Sequence, residues 1–442
     1  MEMLNEIQQV NPKATMLIEK WNERVKLVED VMDQQMPYER QYVLASCLEN
    51  TQLALQLLET TQTTDVGTFK KFALDLITAV VPNLIAHDIV SVQPIDNRVG
   101  MINYIKYIYG SQKGNIERGG DISSPLGHHR NEHTYSSEVV ESETITETSA
   151  NTFASVNLAY TPVRPGTVKI TSEASDDITD DGDGGLVGNV TTTGSINYET
   201  GEMSFVVDGT CDEVTINYEF NLEYVPSTIP QVDIKIESLP VIARSRKLRA
   251  LYAFDAAFDL RRSYGGDIDT LLSSQIAAEI AHEIDAEICD ALLTQAGAGA
   301  EFTFDKTPRT AIALTDHYDA LYNKLIEGSN TIFQATRRAS GNFIIAGTGA
   351  SSVIETMRSF RADTVSSPVG PHKVGTLGAF AVYKNPYYAT DRMVMGYRGG
   401  SYFEAGYFYC PYMPIVTTDL IMLDDFAGRR GWATSYAKKM VA

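Results

Sequence analysis

Residues Asp267 to Gln295 read DIDTLLSSQIAAEIAHEIDAEICDALLTQ and carry a regular apolar pattern. The apolar residues recur at every fourth position: Leu272, Ile276, Ile280, Ile284, Ile288 and Leu292. Four residues advance by about 400°, so the apolar stripe drifts by about 40° at each step. Such a stripe suits a helix laid across a sheet better than the seam of a coiled coil. The stretch therefore predicts one helix, roughly 40 Å long at about 1.5 Å per residue.

Acidic residues lie on one flank of this helix, and basic residues lie mainly in the segment before it. One flank of it carries Glu279, Glu283 and Glu287, which a fully buried face would not tolerate. The preceding segment is basic and contains Arg244, Arg246, Lys247, Arg249, Arg261 and Arg262. A nucleic-acid contact and a solvated face are two interpretations of these cations. Because the chain as a whole is acidic, we expect them instead to pair with carboxylates of a neighbouring subunit.

The helix and the basic segment that precedes it resemble the spine-helix region of the major capsid proteins of large contractile-tailed, myovirus-type bacteriophages. Two other stretches agree. Val81–Ile95 is similar to the segment with which that family leaves its N-terminal arm, and Ala405–Ile415 is similar to its closing strand region. The three stretches occur in the family's order, and the resemblance covers the chain from about Phe69 to its end, less one insertion. It implies an α+β fold with an N-terminal arm, an extended loop, a peripheral domain that contains the spine helix, and an axial domain.

Composition restricts the function independently of this resemblance. The chain has 442 residues, of which 43% are hydrophobic and 21% charged, enough for two to four domains. Its formal charge of -21 disfavours sequence-specific DNA binding but is compatible with the wall of a DNA container. Its four cysteines are scattered, so neither a zinc site nor a disulfide framework is indicated, and synthesis in a reducing cytoplasm is expected. Membrane insertion and secretion lack a sequence signal.

The N-terminal region, residues 1–68, reads as two amphipathic helices. They are predicted over Ala14–Asp33 and Tyr38–Thr60, with a break near Pro37. The resemblance implies that this region is often a propeptide that a maturation protease removes. Leu57 and Glu59 fit the short apolar-x-Glu pattern of such a cleavage site, whereas the alternative is a retained helical arm.

Residues 69–155 are predicted to complete the arm and to form the first half of the extended loop. Residues 156–222 alternate apolar and polar side chains over short segments such as Val214–Phe220, which predicts an inserted, Ig-like β-sandwich module. Between Thr161 and Phe220 there are twelve acidic and two basic residues, a net charge of 2 - 12 = -10. Such concentrated charge would repel its own copies inside an assembly, so we expect the module to project outward.

The rest of the chain follows the family's order. Residues 223–300 are predicted to return along the loop and to form the spine helix. Residues 301–418 are predicted to form the axial domain, and residues 419–442 to rejoin the peripheral domain.

Three motifs offer chemistry, and each has a structural alternative that we favour. His129-Arg-Asn-Glu-His133 matches a zinc-peptidase motif but lies in a polar, loop-like sequence rather than in an amphipathic helix. Residues 176–185 resemble a calcium loop, but Gly188 stands where an EF-hand needs glutamate. Residues 347–352 follow a strand as a dinucleotide loop would, without its third glycine. We therefore predict no catalytic residue, no metal and no cofactor.

The function predicted from these observations is structural. Many copies, arranged as hexameric capsomers, would assemble in the host cytoplasm into an icosahedral phage head that encloses DNA. The resemblance implies vertex, portal, scaffold and decoration proteins as further partners, and no membrane. A pentameric vertex paralogue is the nearest alternative, and a free enzyme or a metal- or carbohydrate-binding module is a more distant one.

Overall fold

The computed structural model divides the chain into two compact units. Unit 1 comprises Met1–Tyr104, Glu237–Gln334 and Arg338–Ala442, and unit 2 comprises Ile105–Ile236 with Ala335–Arg337. The structure describes residues 12–32, 35–58, 77–78, 84–122, 134–148, 151–172, 177–188, 190–207, 212–223, 229–264, 268–296, 301–308, 313–336, 339–363, 370–400, 406–418, 421–422 and 427–441.

Unit 1 begins with three helices, α1 (Pro12–Lys20), α2 (Asn22–Met32) and α3 (Tyr38–Leu58). The break at Pro37 lies where the sequence predicts it, because proline cannot donate a backbone hydrogen bond to a preceding turn. The predicted first helix is instead two helices that meet at Trp21. The indole of Trp21 is buried and donates to Glu49 at 3.0 Å, so a tertiary contact holds this turn.

Helix α3 belongs to the core of unit 1. Leu44, Cys47 and Leu48 are fully buried in the cluster that also contains the long helix of this unit. The buried Asn50 amide donates to the carbonyls of Ile95 and Tyr412, each at 3.0 Å, which satisfies two backbone acceptors beside the sheet. These contacts tie residues 38–58 to segments much later in the chain.

The long helix, α6, spans Ile268–Gln295, close to the predicted bounds. Its stripe is buried at Ile276, Ile280, Ile284 and Ile288, and the two end positions of the stripe are half-buried. The stripe shares its core with aromatic residues of a sheet: Tyr409, Trp432 and Tyr436. The helix therefore packs on a sheet, as its drifting stripe predicts.

That sheet has the order β1-β18-β20-β12, with β19 added on β20. Its strands are β1 (Ser91–Val92), β12 (Arg244–Ala253), β18 (Tyr407–Thr417), β19 (Ile421–Met422) and β20 (Ala427–Met440). A short helix, α4 (Ala86–Ile89), precedes β1, and α5 (Phe254–Tyr264) follows β12. The sheet is mixed, because β1 pairs parallel to β18 while the other pairings are antiparallel.

A second sheet in unit 1 has the order β14-β15-β16-β13-β17. Its apolar side chains share a core with α7 (Leu314–Thr336) and α8 (Thr348–Glu355). Its strands are β13 (Phe343–Ala346), β14 (Phe360–Ala362), β15 (His372–Leu377), β16 (Phe380–Lys384) and β17 (Met393–Gly396).

Unit 2 contains one continuous antiparallel sheet in the order β3-β10-β5-β6-β7-β8-β9-β4. Both end strands contribute to the same core, through Val140 and Phe153, so the sheet curves around that core. The strands are β3 (Val139–Thr146), β4 (Thr152–Asn157), β5 (Lys169–Ser172), β6 (Asp177–Asp180), β7 (Gly185–Gly188), β8 (Val190–Ile196), β9 (Glu202–Val207) and β10 (Glu213–Glu219).

The predicted Ig-like sandwich is not confirmed, since the described strands form one sheet and not two. The alternation of apolar and polar residues along a strand determines which side chains face the core, but it does not determine how many sheets the strands form. The sheet also starts at Val139, ahead of the predicted module start at residue 156. Strand β3 is rich in polar residues, and one of them, Glu143, accepts hydrogen bonds from the Tyr218 hydroxyl at 2.6 Å and from the Ala159 amide at 3.0 Å.

The loop that precedes this sheet is held by a buried lysine. The ammonium of Lys113 donates to the carbonyls of Thr134, Tyr135 and Ser137 at 2.6–3.0 Å and lies 5.5 Å from the centroid of the Phe220 ring. Burial lowers the pKa of Lys113 to about 8. Part of the predicted first half of the extended loop is therefore anchored in unit 2.

Candidate inter-subunit surface

The predicted basic cluster lies mainly on β12, at the edge of the first sheet of unit 1. The register places Arg244 opposite Tyr436 and Ala253 opposite Ala427 on β20. Among the described strands, β20 is the one that pairs with β12. All side chains from Arg244 to Arg249 are exposed. The strand therefore presents its cations to solvent in this single chain.

Arg246 has a partner within its own chain. Its guanidinium forms an ion pair with Glu287 on α6 and lies 5.3 Å from the centroid of the Tyr436 ring. Lys438 pairs with the same carboxylate at 2.6 Å, and the Tyr436 hydroxyl donates to it. Burial works to raise the pKa of Glu287, but the hydrogen bonds from Lys438 and Tyr436 and the nearby charges outweigh it, so this pKa lies below its ordinary value.

The other cations of the cluster differ from Arg246. Within the described part of the chain, no ion pair forms at Arg244, Lys247, Arg249, Arg261 or Arg262. The last two lie on α5, where both are exposed. Their pairing with a neighbouring subunit stays a prediction.

A second exposed surface lies on β11 (Val232–Ile242), which pairs with β2 (Val99–Tyr109) in a two-stranded ribbon. In unit 2 the apolar side chains of β11 are exposed by 55% at Val232, 64% at Ile234 and 66% at Ile236. Successive residues of a strand point to opposite faces, so these three share one face. These residues belong to none of the sites predicted from the sequence, although the alternation in VDIKIE is the signal of a strand with one apolar face.

The acidic segment that resembles a calcium loop includes the hairpin loop, residues 181–184, between β6 and β7. The Asp181 carboxylate accepts hydrogen bonds from the backbone amides of Asp183 at 2.9 Å and Gly185 at 2.8 Å, which lower its pKa. Gly182 adopts a φ of 85°, a conformation that favours glycine. Asp177 pairs with Lys169 at 2.7 Å. Backbone amides thus bond the Asp181 carboxylate, and Lys169 pairs with the Asp177 carboxylate.

The segment that resembles a dinucleotide loop packs against its own chain. A Cβ on Gly347 would lie 2.3 Å from the Ala389 carbonyl oxygen, so the glycine is needed for close packing. The amides of Gly347 and Ala350 donate to the carbonyls of Arg392 and Thr390, each at 2.8 Å. Two of the backbone amides that such a loop would offer to a phosphate are therefore already bonded.

Other predicted sites lie partly outside the described residues. The His129–His133 motif and Glu59 fall there, and at Leu57 only the helical backbone is described. In the described segments, no group of three or more His, Cys, Asp or Glu side chains is placed to hold a metal ion.

Cys47, Cys289 and Cys410 are buried thiols, and burial raises the pKa of each to about 12. Among the described helices, none combines the length and apolar content needed to cross a membrane.

Comparison with known families shows to which family this chain belongs. The family described as major capsid protein Gp23 matches residues 66–442, most of the chain. The chain belongs to this family. As a member it is a structural subunit of a phage head shell, which agrees with the resemblance that its sequence shows around α6.

Relatives of this family member include the major capsid proteins of two phages. The Vibrio phage KVP40 protein is 30% identical over 213 residues, which cover 42% of this chain and 40% of the relative. The Enterobacteria phage T4 protein is 24% identical over 392 residues, which cover 82% of this chain and 73% of the relative. The chain thus matches less than half the length of the KVP40 protein.

Two solved structures similar to this family member come from phages. The Mycobacterium phage Che8 structure matches 50% of this chain and 76% of its own chain, with 12% identity and a TM-score of 0.33. The capsid of Myoviridae phage XM1 matches 48% of this chain and 74% of its own chain, with 8% identity and a TM-score of 0.31.

Proposed function

We propose that six copies of this chain form a ring-shaped capsomer and that these capsomers close an icosahedral shell around packaged DNA. Family membership supports the shell. The chain's formal charge of -21 fits a wall that encloses DNA without reading its sequence. Stability then comes from many contacts between copies, each of which can be weak.

The observation that carries this proposal is the exposed apolar face of β11. Val232, Ile234 and Ile236 present three large aliphatic side chains on one strand face, with more than half of each exposed. Contiguous exposed apolar surface marks an interaction site. We assign its occupant to an adjacent subunit, because the resemblance implies that the extended loop reaches over its neighbour.

The domain assignment is part of the proposal. We assign residues 1–68 to the arm, residues 301–418 to the axial domain, and residues 223–300 together with 419–442 to the peripheral domain. The five-stranded sheet with α7 and α8 supports the axial assignment. The packing of α6 on the sheet that contains β20 supports the peripheral assignment.

The further partners follow from the same proposal. A closed shell needs vertex and portal proteins, a scaffold during assembly, and decoration proteins where its surface offers sites. We place assembly in the host cytoplasm and assign the chain no catalytic role. A pentameric vertex paralogue would share the fold and differ in the number of copies in each ring.

The ribbon contact is tested by replacing Ile234 and Ile236 together with aspartate in the full chain. Two buried charges without partners would oppose subunit contact, so we expect at least a tenfold loss of particles in sedimentation velocity. Val187→Asp on β7 is the matched control, since Val187 is also exposed and lies in the module that we expect to face solvent. Particle formation by the double variant at the wild-type level would contradict the proposed contact.

A further inference from the structure

Unit 2 holds a buried ammonium group among backbone carbonyls. The Lys113 ammonium donates to three carbonyl oxygens, those of Thr134 at 2.8 Å, Tyr135 at 3.0 Å and Ser137 at 2.6 Å. A lysine ammonium has three N–H groups and no acceptor, so the number of acceptors equals the number of donors. Lys113 is only 3% exposed. The chain therefore replaces the water that would otherwise surround this charge.

Carbonyl dipoles and an aromatic ring, and no ion pair, surround the charge of Lys113. Among the described residues, Lys113 forms no ion pair. Its ammonium lies 5.5 Å from the centroid of the fully buried Phe220 ring, a distance at which an aromatic face attracts a cation. Burial lowers the pKa of Lys113 to about 8, against the attraction of Glu141, so the amine stays mostly protonated at pH 7. The surroundings are thus those of a bound ammonium ion.

The backbone around this ammonium is also fixed by contacts that do not use the lysine side chain. The Ser137 amide and the Ser137 hydroxyl both donate to the Thr134 carbonyl, at 3.0 Å and 2.7 Å. The Val139 amide donates to the Ser137 hydroxyl at 3.2 Å. The amides of Lys113 and Ile116 each donate to the carbonyl of the other at 3.0 Å. The three carbonyls should therefore stay close together when the ammonium is removed.

The same carbonyls are connected to the start of β11. Tyr135 donates its hydroxyl to the Gln231 carbonyl at 2.7 Å, and its ring packs on Tyr109 with 4.5 Å between the centroids. The Gly110 amide donates to the same Gln231 carbonyl at 2.7 Å. Gln231 immediately precedes β11, so contacts that hold Tyr135 also hold the beginning of the strand with the exposed apolar face.

We propose that the carbonyls of Thr134, Tyr135 and Ser137 and the ring of Phe220 form a binding site for a primary ammonium ion, which Lys113 fills from within the chain. The site requires the charge and the N–H groups of the side chain, and not its apolar stem. The filled site holds residues 134–138 and the start of β11 in place. The inference concerns the folded subunit and is independent of the proposed assembly.

Chemical rescue tests this site in the full-length, unassembled chain at pH 7. Lys113→Ala removes the ammonium and leaves room for a small cation, so hydrogen–deuterium exchange in residues 134–140 and 231–236 should become at least tenfold faster. Methylammonium chloride supplies the lost head group. It should slow this exchange at least fivefold relative to an equal concentration of tetramethylammonium chloride, whose ion has the same charge but no N–H group. Equal exchange in the two salts would overturn the inference.

Two further variants separate the charge from the packing of the side chain. Lys113→Met keeps an unbranched side chain without the charge, and we expect faster exchange that methylammonium does not correct, because the site is occupied. Wild-type exchange in a folded Lys113→Met variant would refute the need for a cation. Lys169→Ala removes an exposed lysine of the same unit and should leave exchange in residues 134–140 unchanged in either salt.

Circular dichroism covers the case in which Lys113→Ala is unfolded. Methylammonium should then restore the folded spectrum, and tetramethylammonium should not, because binding to the folded state alone shifts the equilibrium toward it. An unfolded Lys113→Ala variant that neither salt restores would count against the site.

Discussion

Asp285 is a buried carboxyl on α6 whose ionisation is opposed by the fold. Its oxygens accept hydrogen bonds from the amides of Ile85 and Ala86, each at 3.3 Å, and its side chain is almost fully buried. Burial raises its pKa from 3.8 to about 7, against the effect of these two hydrogen bonds, and the charge of Asp88 adds to the increase. The fold therefore prefers the protonated acid.

This preference predicts a pH dependence of stability. Between pH 3.8 and about 7 the folded chain binds more protons at Asp285 than the unfolded chain, so this group's contribution to stability falls as pH rises through that range. From pH 5 to pH 8 the loss should be about 2–3 kcal/mol. Asp285→Asn should remove this slope in urea unfolding of unassembled protein, whereas Asp290→Asn, at an exposed position of the same helix, should keep it. An unchanged slope in Asp285→Asn would refute the assignment.

The buried charges show where sequence analysis stops. Asp285 and Lys113 look like ordinary surface residues in the sequence, because nothing within a few positions signals their burial. The partners of Asp285 are two hundred residues earlier in the chain. Arg246 was identified in the sequence as part of a cluster, but its partner Glu287 could be found only from the packing of α6 on the sheet.

Among the elements, α6 was the most predictable. Its bounds and its buried stripe follow from a strict four-residue repeat, because local periodicity fixes which side of a helix is apolar. The helix broken at Trp21 and the polar strand β3 were not predicted, because tertiary contacts decide both. The number of sheets in unit 2 also depends on contacts between strands far apart in the sequence.

The role of α6 as the central packing element predicts a large difference between two substitutions. Ile284 is 2% exposed in the core of unit 1, and Leu271 on the same helix is 55% exposed. Ile284→Ala should lower the free energy of unfolding by about 2–5 kcal/mol, because it leaves a cavity. Leu271→Ala should change it by less than about 1 kcal/mol. Equal effects in denaturant titrations of the two variants would contradict the packing described here.

At the scale of the whole molecule, the acidic sheet of unit 2 is predicted to face outward in the shell. Val187 on β7 is exposed, and a cysteine there gives a probe of this surface in a Cys211→Ser background. The three described cysteines are buried, which limits their reaction. A polymer-linked maleimide too large to enter the shell should label Val187→Cys in intact particles. Labelling only after the particles are disrupted would place the sheet inside.

The proposed assembly is a shell that many copies of this chain build from six-membered rings. Negative-stain electron microscopy of the purified full-length protein tests it most directly. We expect closed shells or six-membered rings. Five-membered rings would reassign the chain to the vertex, and a uniform small oligomer without rings or shells would show that the chain does not build a shell by itself and would refute the proposed assembly.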